Sequence, residues 1–121
     1  LGYLFVPLGF LLGGVSILLP GSLAGSAAMH AWTVGAIGVM TLAVMTRATL
    51  GHTGRELAAS GLTVAAYGAI VASFVLRIAA GAFPNAGLGL IDLAGFAWIA
   101  GFSLFAIEYV PMLVRARLDH R

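Results

Sequence analysis

Few side chains in this sequence can act as acids, bases, ligands or ion-pair partners. There are six Lys and Arg, four Asp and Glu, three His and no Cys. Without cysteine there is no thiolate ligation, no iron–sulfur cluster, no disulfide and no covalent haem attachment through thioethers. The strongest remaining candidate is His30, because imidazole is a common ligand for haem iron and for copper. Its neighbour Met29 is a soft donor suited to Cu(I). Adjacent residues on a helix point about 100° apart, so Met29 and His30 share one metal only if that helix end is unwound. The alternative for His30 is a histidine hydrogen-bonded at a membrane interface. His52 cannot join it, since the helix between them holds them roughly 33 Å apart. No two histidines stand at i, i+4. Any metal at His30 therefore needs ligands from another part of the protein, from another subunit, or from water.

Two charge pairs are also expected. Arg77 and Asp92 flank one turn, and an ion pair across it would lock the hairpin. Alternatively each side chain snorkels to the head groups, or Arg77 holds an anionic group such as a haem propionate with its guanidinium fork. Arg47 and Glu108 form a similar candidate pair at the opposite end. Arg47 is also an ordinary topology signal there. The sequence has no G-x-S-x-G, P-loop, H-E-x-x-H or catalytic-triad pattern.

The elements that must position these residues follow from composition. Hydrophobic residues make up 61% of the 121 positions and charged residues 8%. A soluble domain carries about 25% charged residues, so this surface cannot face water throughout. The apolar runs are continuous rather than alternating, which predicts membrane helices and not a barrel. The sequence predicts an all-α membrane protein, a single domain of four transmembrane helices in an up-down antiparallel bundle. The spans are expected at about 2–19, 28–50, 56–80 and 88–114. Gly9 and Gly13 form a G-x-x-x-G face on the first. Gly61, Ala65, Gly68 and Ala72 are expected to form a packing stripe on the third, and Glu56 to start it. Trp32, Tyr3 and Tyr109 read as interfacial belt anchors. The net charge of +2 is orientation charge, not a nucleic-acid footprint. Arg47, Arg55, Arg115, Arg117 and Arg121 fall on one side, which places both termini of this segment and the middle loop in the cytoplasm. His30, Arg77 and Asp92 then lie on the outer side. The first residue is leucine, so the segment is expected to be part of a longer protein.

One stretch carries a resemblance. HAWTVGAIGVMTLAVMTRATLGHTGR, from His30 to Arg55, is similar to the signature of the NnrS family of polytopic bacterial inner-membrane proteins. The positions that carry it are His30, Thr33, Val34, Gly35, Met45, Arg47, Gly51, His52, Thr53, Gly54 and Arg55. Beyond them the match is mainly one of hydropathy and span position. The resemblance is to the C-terminal part of the family and implies haem and copper as cofactors. It implies a role in the response to nitric oxide, as in denitrifying or nitrosatively stressed bacteria. On that basis His30 is the candidate axial ligand and Arg77 a candidate for a propionate. Arg47 is a further cofactor-site candidate, and His52 a second metal candidate. Nitric oxide, the lipid bilayer, and the parent protein's remaining helices or other subunits are the expected partners. Two further classes stay open: a transporter or permease subunit, and a structural bundle without cofactor. Transport is weakened by the lack of an ionisable residue at mid-membrane.

Overall fold

The computed structural model describes residues 2–21 and 26–115. All regular structure among them is helical. A short 3-10 turn, Gly2–Leu4, leads into helix α1, Phe5–Leu18. Helix α2 spans Ala27–His52, α3 spans Gly61–Ala82, and α4 spans Gly87–Val114. These last three are long and apolar enough to cross a membrane, whereas the first helix, Gly2–Leu18, is shorter. The expected four spans thus become three of membrane length plus a shorter one. Tail residues Arg117, His120 and Arg121 lie outside the described residues.

Each helix is apolar nearly all round, and its outward face matches a lipid solvent rather than water. Ile17, Leu88 and Val114 are each more than three-quarters exposed. Between the helices, Phe5, Val39, Leu42, Ile70, Phe74 and Phe105 form a buried core. Small residues let the backbones approach, as expected where lipid gives no hydrophobic drive to association. Gly9 lies under the Trp32 ring and Gly35 under Phe5. Gly13 faces Ala28, so the predicted G-x-x-x-G face does meet a neighbour. Gly101 sits against Ile70 and the Ala66 carbonyl. The contacts between α3 and α4 pair Thr63 with Tyr109, Ser73 with Ala94 and Ala80 with Gly87. The Ser73 hydroxyl donates to the Ala94 carbonyl at 2.8 Å, a buried bond between helices.

Three packing expectations are corrected. Gly61, Ala65, Gly68 and Ala72 are all exposed, and α3 instead turns Thr63, Ala66, Ile70 and Ser73 inward. The third helix begins at Gly61 rather than Glu56, because the Ser60 hydroxyl caps it by accepting from the Thr63 N–H at 3.1 Å. Tyr109 is not a belt anchor, being 1% exposed. The half-buried Trp32 indole N–H donates to the Val6 carbonyl at 3.1 Å.

Helix α2 has two local features. From Ala31 to Gly38 it is wound as a π-helix, beginning immediately after His30. At its far end, Gly54 adopts φ +68°. The Arg55 N–H bonds to the Leu50 carbonyl at 2.9 Å and the Gly54 N–H to the Gly51 carbonyl at 3.3 Å. That is a Schellman closure, with glycine in the left-handed position. Gly54→Ala is expected to cost about 1–2 kcal/mol. Gly51→Ala, at a helical position with open space around its Cα, should not destabilise. Thermal unfolding of both variants in detergent checks this.

Candidate functional site

Polar side chains gather at the two ends of the bundle. At one end, the first turn of α2 brings His30 against Arg77, in the last turns of α3. The Arg77 Nε–H donates to His30 Nε2 at 2.9 Å. An imidazole nitrogen that accepts must be unprotonated, so a neutral His30 carries its hydrogen on Nδ1. Both residues are half-buried. They line a cavity of about 310 Å³ together with Val34, Ser73, Ala94 and Trp98. Trp98 is held there by Gly38, in the π-wound segment, where a Cβ would lie 2.9 Å from the Trp98 ring. Wider turns of this kind are frequent at functional sites. Met29 is 54% exposed.

The sequence placed Arg77 and His30 in one layer but paired Arg77 with Asp92. That pairing is corrected: the described residues contain no Arg77–Asp92 ion pair, and Asp92 is exposed. On α4 it faces outward, while Ala94, two residues and about 200° further round, faces inward.

The opposite end holds Arg47 and Glu108, and these do not pair with each other among the described residues. The Thr63 hydroxyl donates to Glu108 Oε2 at 2.9 Å. Thr63 Oγ1 and the Tyr109 hydroxyl are 2.7 Å apart, and the Ser60 hydroxyl donates to Thr63 at 3.3 Å. A second pair, Thr46 and Tyr67, stands at 3.2 Å. Arg47, Thr46, Thr63, Tyr67 and Tyr109 share a cavity of about 380 Å³ with apolar walls. His52 is exposed at the end of α2, beside Arg47 in an open groove formed by Val44, Ala48 and Gly51. Arg55 is half-buried, and its Nη1 has no hydrogen-bond partner.

The candidates therefore divide. His30 and Arg77 come together; Arg47 and His52 lie at the other end of α2. Thr63, Tyr67 and Tyr109 were not anticipated as a polar site. The one sequence signal for them was Ser60 three positions before Thr63, a helix-start pattern. At the His30 end, Nε2 already accepts from Arg77, and among the described residues no three His, Cys, Asp or Glu converge.

Residues 1–117 match a family model described as NnrS protein. Nothing matches among the curated proteins, and nothing among the solved structures.

Proposed function

The chain belongs to the NnrS protein family, and from that membership we propose a multi-pass protein of the bacterial inner membrane that serves the response to nitric oxide through a haem, with or without copper. The observation that carries the site assignment is the His30–Arg77 contact inside a cavity at one end of α2. Haem, when bound, supplies an iron able to take nitric oxide as a ligand. His30 offers one imidazole donor. For that donor to be Nε2, Arg77 would have to release it, and its guanidinium would then be free for a carboxylate such as a propionate. Any further ligand would come from another part of the protein, from another subunit, or from water. His52 and Arg47 serve a separate site. We read the helices as an up-down bundle, since contacts between successive helices run in opposing order. In that arrangement Arg47, Arg55 and Arg115 mark the cytoplasmic end.

The test is a visible absorption spectrum with metal analysis on purified protein and on His30→Ala. The expected result is a Soret band that His30→Ala loses while helical content by circular dichroism is unchanged. A band that survives His30→Ala moves the ligand elsewhere. No band and no copper in either sample overturns the metal reading and favours transport or assembly.

A further inference from the structure

The cavity at the Arg47 end is built from hydroxyls whose hydrogens can be assigned from their partners. Thr46 donates its one hydroxyl hydrogen to the Ala43 carbonyl at 3.0 Å. In the Thr46–Tyr67 pair the phenol must therefore be the donor. Thr63 donates its hydrogen to Glu108, so in the Thr63–Tyr109 pair the phenol donates again. Both tyrosines point their hydrogens into the protein wall. Each phenol oxygen is left with lone-pair capacity, and both residues line the cavity. The carboxylate of Glu108 stands one hydroxyl behind Thr63. This wall accepts hydrogen bonds and favours positive charge. The same cavity is also lined by the exposed Arg47, a fixed cation suited to phosphate.

A ligand that satisfies both features carries an N–H cation and an anion together. Depth narrows it further. Arg47 lies within about 8 Å of the end of α2, and Ser60 caps the start of α3, so the cavity sits where head groups meet the hydrocarbon. Leu50, Leu57 and Ala43 supply an apolar wall for the upper part of an acyl chain.

We propose that this cavity binds the phosphate–primary amine head group of an aminophospholipid, with the ammonium on the Tyr67 and Tyr109 oxygens and the phosphate on Arg47. Thr46, Thr63 and Tyr109 are each more than nine-tenths buried and Tyr67 is half-buried, so the hydroxyls that orient the two phenols are held in place before any ligand arrives. The site is independent of the metal centre: its occupancy does not involve His30 or Arg77.

Native mass spectrometry of detergent-purified protein tests it, with phosphatidylethanolamine, phosphatidylcholine and phosphatidylglycerol of identical acyl chains added in equal amounts. Phosphatidylethanolamine should be retained at least ~10-fold over the other two, since choline has no N–H and glycerol no cation; tenfold corresponds to about 1.4 kcal/mol. Tyr67→Phe removes an acceptor without removing the ring and should lower that preference several-fold. Arg47→Gln should weaken both phosphatidylethanolamine and phosphatidylglycerol. Tyr109→Phe serves as the second acceptor variant, with circular dichroism as the folding control. Soluble glycerophosphoethanolamine should displace the lipid, assigning recognition to the head group. If the soluble compound binds and the lipid does not, the site is one for a free zwitterion and the lipid assignment falls. Equal retention of the three lipids, preference for phosphatidylcholine, or unchanged preference in Tyr67→Phe with Tyr109→Phe overturns the proposal.

Discussion

Gly35→Val is expected to loosen the packing of α1 against the rest of the bundle. Phe5 reaches across Gly35 to pack edge-on against Phe74, with ring centroids 4.9 Å apart. A side chain at position 35 occupies the space of the Phe5 ring, which is itself buried and has no free direction to move. Overpacking of this kind costs about 1–3 kcal/mol, occasionally more. Here the loss falls on one of the contacts that join the shortest helix to the core. Thermal unfolding in detergent should show a lower midpoint for Gly35→Val. Gly68→Ala is the control: it lies mid-helix with no neighbour within 4 Å of an added Cβ. It should gain about 0.5–1 kcal/mol from helix propensity alone. Equal losses in both variants would mean that close packing at Gly35 is not what matters.

The second large effect concerns the His30–Arg77 pair, and it is asymmetric. His30→Leu leaves a half-buried guanidinium N–H with no acceptor, at a cost of about 1–3 kcal/mol, more for a charged group. Arg77→Met leaves a neutral imidazole nitrogen unfilled, which is the smaller penalty. The double variant removes both partners and should be close to wild type, as for other buried polar pairs replaced together. Arg77 lies near the end of α3, so its long stem can turn the charge toward head groups and limit the first loss. A double-mutant cycle by unfolding in detergent reads the coupling. Simple additivity of the two single variants would show that the 2.9 Å contact contributes nothing.

The sequence revealed more about where the helices lie than about which way they face. Continuous apolar runs located them, because lipid imposes length rather than periodicity. The same property hides rotation about each axis. A helix apolar on all sides has no stripe to say what it buries, so the small residues of α3 were assigned inward and are exposed. Tyr109 read as an anchor, yet it is buried through its bond to Thr63. Asp92 was assigned to Arg77, while His30 holds that guanidinium. Rotation decides all three, and only tertiary contacts fix it. The start of α3 differs for another reason: Glu56 suits a helix dipole, but the hydroxyl that caps the helix is that of Ser60. His30 stood out from its chemical type alone, but its partner did not.

The π-wound run from Ala31 to Gly38 makes α2 two half-helices out of phase with each other. His30 belongs to the first half; Thr46, Arg47 and Gly54 belong to the second. A side chain's direction at one end is thus set by a residue count in between, not by its own surroundings. Each turn there takes up one residue more than an ordinary turn, so deleting one residue within the run, and so restoring an ordinary period, would leave His30 facing nearly as it does now. Deleting one between Val39 and Ala43, where the turns are already ordinary, would swing the imidazole by about 100° off the guanidinium. The run is thus a place where α2 can absorb a change of length without losing the outer contact.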